Sequence, residues 1–204
     1  MTILSQLRRD APPAYAVLAV ASSAGGVRAL RELFSALTVD FPAPVLVVQH
    51  LDRRHETILA SVLSRKTQLK VKLAEDREQV VPGVIYIAPP DRHLLVGRGD
   101  LLSLTETELV HFVRPSADLL FESVAAHYGD RAVAVVLTGS GTDGSMGVQA
   151  VKSRGGTVIV QDPDDAEFTG MPRAAVETNT ADFILTLAEI GPVVQRLFDS
   201  EDHR

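Results

Sequence analysis

The sequence predicts an α/β fold with a doubly wound, mostly parallel sheet that has helices on both faces and a β-hairpin insertion. Short, continuously apolar segments such as 15–20, 44–49 and 132–137 are typical of strands buried on both faces. Amphipathic segments with helical periodicity lie between these segments. An alternation of the two patterns along the chain is typical of α/β proteins with a parallel sheet.

The predicted elements follow in order from apolar periodicity and turn residues. Apolar runs predict strands at 15–20, 44–49, 84–88, 132–137 and 157–160. One-sided apolar faces predict helices at 25–37, 56–65, 116–128, 146–153, 172–177 and 185–197. Glycines or prolines end several of these segments, as Gly129 does after the helix at 116–128. The segments 93–96 and 101–104 flank the turn Gly97-Arg98-Gly99-Asp100, which predicts the hairpin.

Length and composition restrict the class of protein. The 204 residues are most simply one domain, at 15–198, with a flexible leader at 1–14 and a polar tail at 199–204. A net charge of −6 argues against nucleic acid as the main partner. Without cysteine the chain has no disulfide, thiol nucleophile or thiolate zinc site. Neither a signal peptide nor an apolar run of roughly 18 residues is present, so we expect a cytoplasmic protein that does not insert into membranes.

Three polar residues lie just after predicted strand ends. Ser23 follows the first strand, His50 follows the second, and Asp143 lies in the glycine-rich turn after the strand at 132–137. The carboxyl ends of parallel strands meet at one edge of a sheet, so these residues are expected to lie together. A serine that attacks, a histidine that moves the proton and an aspartate that orients the imidazole form an acyl-transfer triad.

Other interpretations of these residues stay open at this point. Ser23 before Gly25-Gly26 also suits a helix cap or a phosphate contact, although the third glycine of a dinucleotide fingerprint is absent. His50 and Asp143 also suit structural or turn-forming roles. A metal site at His50, His55 and Glu56 matches no helical ligand spacing. The Gly-x-Ser-x-Gly elbow of ordinary α/β-hydrolases is absent.

The chain from about 16 to 197 resembles the catalytic domain of the CheB-type chemotaxis protein-glutamate methylesterases. Ala21-Ser22-Ser23-Ala24-Gly25-Gly26 resembles the family's Gly-Ala-Ser-Thr-Gly-Gly, and Val48-Gln49-His50 resembles its Gln-His segment. Residues 137–144 resemble its Leu-Thr-Gly-Met-Gly-x-Asp-Gly. Three further segments also match, namely Tyr86-Ile87-Ala88-Pro89, Arg114-Pro115-Ser116-Ala117-Asp118 and Gly170-Met171-Pro172-Arg173.

This resemblance implies a serine hydrolase that demethylates glutamate methyl esters on the cytoplasmic helices of chemoreceptors. Ser23 is then the nucleophile, His50 the base and Asp143 the orienting carboxylate. The resemblance also implies deamidation of receptor glutamines, and it implies no metal or organic cofactor. We expect the backbone N–H groups of Ala24 and Ser140 to hold the oxyanion.

The chain departs from the family pattern in three places. The family usually carries an N-terminal phospho-receiver domain, whereas about 14 residues precede the first predicted strand here. We therefore expect a receptor outside ordinary chemotaxis or control by a separate regulatory protein. Ala24 replaces a hydroxyl residue, and Ser140 replaces a methionine. The alternative to an enzyme is a catalytically silent module of the same fold that binds a receptor or another partner.

Overall fold

Seven parallel strands form the central sheet of the protein. The structure is a computed structural model that describes residues 15–51 and 57–199. The strand order is β3-β4-β2-β1-β7-β8-β9, and every neighbouring pair in this sheet is parallel. These strands are β1 Val17–Ser22, β2 Val45–Gln49, β3 Lys70–Leu73, β4 Val84–Ile87, β7 Ala132–Val136, β8 Thr157–Gln161 and β9 Phe183–Leu185.

Helices cover both faces of the sheet, as predicted. The helices are α1 Gly26–Ser35, α2 Leu59–Ser64, α3 Ala117–Tyr128, α4 Ser145–Ser153, α5 Gly170–Glu177 and α6 Leu187–Asp199. Helices α1, α2 and α6 bury their apolar side chains against one face of the sheet, and α3, α4 and α5 do so against the other. None of the helices within 15–51 and 57–199 has both the length and the apolar character to cross a membrane.

The order in which successive strands are added to the sheet reverses at β1. The chain runs from β1 outward through β2 to β4 and β3, and then returns to β7 on the other side of β1. The central strands are fully buried, because their side chains face apolar helices on both sides. A crevice at the carboxyl ends of β1 and β7 follows from this reversal, and such crevices are where α/β proteins bind ligands.

The predicted hairpin is present as a separate two-stranded sheet. Strands β5 His93–Gly97 and β6 Leu101–Thr105 pair in antiparallel fashion. Helix α3 holds the hairpin through two polar contacts. Val96 N donates to Ser123 Oγ at 3.1 Å, and the His127 ring contacts Asp100 at 2.9 Å in the turn. The Arg98-Gly99-Asp100 segment is therefore the turn of this hairpin, packed near α3.

Some predicted boundaries were wrong, and two strands were missed. Strand β1 ends at Ser22, two residues later than predicted, so Ser23 directly follows the strand. The missed strands, β3 and β9, are short edge strands with partly exposed side chains, and they lack the continuous apolar signal of the central strands. The predicted tail begins too early, because Asp199 still belongs to α6. The leader at 1–14 and residues 200–204 lie outside the described residues.

Candidate active site

Ser23 lies in a tight turn between β1 and α1. Its backbone N–H donates to Thr138 O at 3.0 Å, and its carbonyl accepts from Gly26 N at 2.9 Å. The first contact fixes the turn to the loop that follows β7. Ser23 itself is partly exposed. The hydroxyl-bearing residue is therefore held by its backbone at the edge of the sheet, where a ligand can reach it.

The two glycines after Ser23 are required by the geometry of the turn. Gly25 has φ +75°, in the left-handed region that favours glycine. A Cβ on Gly26 would lie 2.1 Å from Gln49 Oε1 and 2.8 Å from Ser22 Oγ. These glycines allow a sharp turn and close packing, and this accounts for the Gly-Gly pair without a phosphate ligand.

His50 and Asp143 form a direct contact next to this turn. His50 Nε2 lies 2.8 Å from Asp143 Oδ2, and their side chains are 12% and 3% exposed. Ser22 and Gln49 are register partners in β1 and β2, so Ser23 and His50 take neighbouring positions just beyond them. His50 N also donates to Ser22 O at 3.1 Å. Because Asp143 engages Nε2, Nδ1 is the ring nitrogen left to accept a proton.

The N-terminus of α3 holds the Asp143 carboxylate. Ser116 Oγ and Asp118 N donate to Oδ1 at 2.8 and 3.1 Å, and Ala117 N donates to Oδ2 at 2.6 Å. The positive end of the helix dipole adds to this attraction. Burial by itself would raise the pKa of Asp143, but the hydrogen bonds from His50, Ala117 and Asp118 outweigh it and hold that pKa below its usual value. The carboxylate is therefore kept ionised.

A second buried carboxylate, Asp118, lies directly behind Asp143. It accepts a hydrogen bond from Gly147 N at 2.7 Å and contacts His111 Nε2 at 3.1 Å. Burial raises the pKa of Asp118, the nearby charge of Asp143 raises it further, and the contacts with Gly147 and His111 only partly offset this. The two carboxyl groups thus have pKa values shifted in opposite directions, with Asp143 the more readily ionised.

His93 supports Ser116 from the hairpin side. The ring is fully buried; its Nδ1 accepts from Ser116 N at 3.1 Å, and its Nε2 donates to Glu108 O at 3.1 Å. Burial lowers the pKa of His93, so the ring stays neutral and keeps Nδ1 as an acceptor. His93 is thus a structural residue that fixes the first turn of α3.

Ala24 and Ser140, the predicted oxyanion donors, lie on the two segments that meet at Ser23. The carbonyl of Ala24 accepts from Thr138 Oγ1 at 3.1 Å. A Cβ on Gly139, the residue before Ser140, would lie 2.9 Å from Ser23 Cβ. Within the part of the chain that the structure describes, neither the Ala24 nor the Ser140 amide has a hydrogen-bond acceptor. Their role as oxyanion donors stays a prediction.

The alternative of a metal site at His50, His55 and Glu56 is tested only in part by the structure. Among residues 15–51 and 57–199, no group of three or more histidine, aspartate or glutamate side chains is placed to hold a metal ion. His55 and Glu56, which belong to that alternative, lie outside the described residues.

Comparison with known proteins identifies the family. The family model described as CheB methylesterase matches residues 18–194. The chain belongs to this family. The crystal structure of the Thermotoga maritima CheB methylesterase catalytic domain is 37% identical, has a TM-score of 0.86, and the match covers 90% of this chain and 98% of that one. The resemblance inferred from the sequence motifs is confirmed.

Two relatives show how much of a family member this chain spans. A relative in Leptospira interrogans is 37% identical over 183 residues, which are 90% of this chain and 95% of that protein. The protein-glutamate methylesterase/protein-glutamine glutaminase of Maricaulis maris is 39% identical over 183 residues, which are 88% of this chain but 46% of that protein. The chain thus spans nearly all of the first relative and about half of the second.

Sequence reasoning named Gln49 in the family-like segment Val48-Gln49-His50 but assigned it no role in this CheB-family site. Its side chain is buried at the end of β2, where Ser22 Oγ donates to its Oε1 at 2.7 Å. Its Nε2 donates to the carbonyls of Ser23 and His50 at 2.8 and 2.9 Å. One signal was available in the sequence, because Gln49 is a polar residue at the end of an otherwise apolar strand.

The structure also gives physical roles to two of the family-like segments. Ser116 and Asp118, in the segment 114–118, supply the contacts to Asp143 described above. Met171, in the segment 170–173, packs against the turn after β7, where a Cβ on Gly139 would lie 2.3 Å from its Sδ. Met171 N also donates to Gly139 O at 2.9 Å. Both segments therefore support the site, although neither carries a residue of the predicted triad.

Proposed function

We propose that this CheB-family protein hydrolyses γ-glutamyl methyl esters of chemoreceptor proteins, with Ser23 as nucleophile, His50 as general base and Asp143 as the orienting carboxylate. The observation that carries this proposal is the 2.8 Å contact between His50 and the buried Asp143, beside the turn that presents Ser23. The curated Maricaulis maris relative is named for the same ester hydrolysis and for glutaminase activity.

The geometry supports a two-step acyl transfer. Ser23 Oγ attacks the ester carbonyl while His50 takes the hydroxyl proton, and the resulting imidazolium is stabilised by ionised Asp143. The amides of Ala24 and Ser140 donate to the oxyanion. Collapse of the intermediate breaks the bond to the methoxy group, which leaves as methanol with the proton from His50. Water then attacks the acyl-enzyme with His50 as base, which releases the glutamate side chain and restores Ser23.

The same mechanism accommodates glutamine side chains. With a primary amide as substrate, the acyl-enzyme is identical and ammonia leaves in place of methanol. We therefore propose deamidation of receptor glutamines as a second reaction of the same site. Ser23→Ala abolishes both reactions if they share the nucleophile.

The proposed partners and location follow from this substrate. The cytoplasmic helices of a methylated receptor would present the ester, which places the protein in the cytoplasm. Control by a separate regulatory protein is part of the proposal. The silent-module alternative is not favoured, because relatives covering most of this chain are named as enzymes.

Methanol release from a methylated receptor fragment tests the proposal. We expect wild type to release methanol, and Ser23→Ala to lower the rate by about 10³-fold or more. Asp143→Asn should also lower the rate strongly, because an amide cannot stabilise the imidazolium as a carboxylate does. If wild type releases no methanol from any receptor of its host, the esterase proposal fails.

The control serine must lie away from Gln49. Ser22 looks in the sequence like a mild control, but its hydroxyl donates to Gln49 and is fully buried. Ser35 is the better choice, because it is the last residue of α1 and its hydroxyl donates to Glu32 O in the same helix. Ser35→Ala should keep wild-type activity. Full activity in Ser23→Ala would show that the nucleophile assignment is wrong.

A further inference from the structure

A loop beside His50 exposes a phenylalanine to solvent. Phe112 is 91% exposed, the most exposed large apolar side chain among the described residues. Together with His50, Leu51, Val113 and Arg114, it lines a cleft of about 80 Å³. A group that enters this cleft to reach the imidazole therefore contacts Phe112.

The loop is held firmly at its base. Val110 and Val113 exchange backbone hydrogen bonds of 3.2 and 2.9 Å. The Arg114 guanidinium donates to Asp91 Oδ1 from Nε and Nη2 at 3.0 and 2.8 Å, and from Nη1 to two loop carbonyls, Glu106 O and Thr107 O. Because both flanks are fixed, Phe112 has a defined position in the structure.

The position of Phe112 is unfavourable for the isolated chain. His111 and Phe112 have φ values of 48° and 65°, in the left-handed region that bulky residues rarely adopt. Burial of the side chain does not offset the cost of this backbone conformation at Phe112, because the ring is in solvent. A residue that is strained and unburied contributes little to folding, and such residues concentrate at functional sites.

The chemistry of the cleft selects an uncharged, apolar ligand. Leu51, Phe112 and Val113 give it apolar side chains. Among the described residues that line it, the one formal charge is that of Arg114, which is 16% exposed and already pairs with Asp91. The cleft therefore suits a methyl ester and apolar neighbours better than a free carboxylate.

We propose that Phe112 is a substrate-recognition residue that packs against apolar side chains flanking the esterified glutamate on the protein substrate. This inference rests on the proposed function, and it names a contact by which the same site distinguishes a protein substrate from a small ester. On a helical substrate, residues three or four positions from the ester lie on the same face and reach Phe112.

The test compares two substrates, a methylated receptor fragment and the small ester N-acetylglutamate γ-methyl ester. For Phe112→Ala we expect kcat/KM on the receptor fragment to fall about tenfold, mainly through KM, because the contact is lost. The small ester lacks the flanking side chains and should lose less, so the ratio of the two kcat/KM values falls. Phe112→Leu should give an intermediate ratio. The melting temperature should not fall.

Phe183→Ala is the matched control, because Phe183 is a partly exposed phenylalanine on edge strand β9, separated from β1 by β7 and β8. It should leave the ratio unchanged. An active wild type with an unchanged ratio in Phe112→Ala overturns this inference alone. An equal loss on both substrates with a lower melting temperature shows a structural role and also overturns it. An inactive wild type overturns the proposed function and this inference together.

Discussion

Ser22 Oγ donates a hydrogen bond of 2.7 Å to Gln49 Oε1 across the first two strands of the sheet. This bond orients the amide so that its nitrogen donates to the carbonyls of Ser23 and His50. One side chain thereby connects the backbone of the proposed nucleophile with that of the proposed base. The spacing of the two residues thus depends on a buried amide as well as on the strand ladder.

Replacing Gln49 by methionine should lower kcat strongly while the protein stays folded. Gln49→Met keeps a similar volume but takes the amide donor from the His50 carbonyl and the acceptor from the buried Ser22 hydroxyl, whereas the Ser23 carbonyl keeps its bond from Gly26 N. A buried polar group left without its partner costs about 1–3 kcal/mol. We expect a reduction in kcat of about tenfold or more with a folded protein, measured by methanol release and urea denaturation. The control is Gln149→Met, at an exposed position on α4, which should retain activity. An unchanged kcat in Gln49→Met would show that the strand ladder alone sets the spacing.

Gly26→Ala should disturb the hydrogen bond between Ser22 and Gln49 by placing a methyl group against both side chains. The added Cβ would lie 2.1 Å from Gln49 Oε1 and 2.8 Å from Ser22 Cβ, so the amide must move. We expect lower activity and a melting temperature reduced by several degrees, since overpacking typically costs about 1–3 kcal/mol. Gly97→Ala is the matched control, because nothing lies within 4 Å of the Cβ position at Gly97. Equal behaviour of the two variants would contradict the role assigned to this close packing.

Ser116→Ala should weaken the hydrogen bonding that holds the Asp143 carboxylate, while Asp143 itself stays in place. The variant loses the 2.8 Å bond to Oδ1, while the amides of Ala117 and Asp118 still donate. We expect a moderate fall in kcat, about tenfold, with KM nearly unchanged, because the bond acts on Asp143 and does not touch substrate.

Ser116→Thr keeps the hydroxyl and should restore most of the activity lost in Ser116→Ala. Ser116 is the residue that caps the start of α3, and Ser123 lies within that helix. The Ser123 hydroxyl donates to Leu120 O and accepts from Val96 N, so Ser123→Ala measures the effect of losing a nearby serine without touching Asp143. Failure of threonine to restore activity would indicate that packing, and not the hydrogen bond, accounts for the loss.

Asp118→Asn should stabilise the protein increasingly as the pH rises. The folded pKa of Asp118 lies above its ordinary value, so ionisation is less favourable in the folded than in the unfolded chain. The cost begins as the pH rises above about 4, the ordinary pKa of aspartate, and is complete above the folded pKa. Asparagine does not ionise and can still accept from Gly147 N. The difference in free energy of unfolding between variant and wild type, measured with urea from pH 4 to 8, should therefore grow with pH. A constant difference would mean that Asp118 ionises equally readily in the folded and unfolded chains, and a shrinking difference would mean that ionised Asp118 stabilises the fold.

The sequence predicted the parts of the site that depend on strand ends. Apolar runs mark β1, β2 and β7, and Ser23, His50 and Asp143 follow those runs, so their meeting could be expected from parallel-sheet geometry. The structure brings His50 and Asp143 into contact as expected. The role of each residue in catalysis stays a prediction, which the Ser23→Ala and Asp143→Asn assays test.

The supporting contacts could not be predicted from the sequence, because they join distant segments. Asp143 and Ser116 are 27 positions apart, and no local pattern indicates that a helix N-terminus meets that turn. The edge strands β3 and β9 were missed for a different reason. Each is three or four residues long with partly exposed side chains, so pairing with a neighbouring strand, and not its own composition, determines its structure.

The turn after β7 is anchored at its two ends, and the residues between those ends are exposed to solvent. Gly139 is packed under Met171, and Asp143 is held by the amides of α3, whereas Ser140, Gly141 and Thr142 between them are exposed. The side chains at 140 and 142 can therefore change without displacing the carboxylate. Directed evolution of this scaffold can therefore vary these two positions while the carboxylate stays in place.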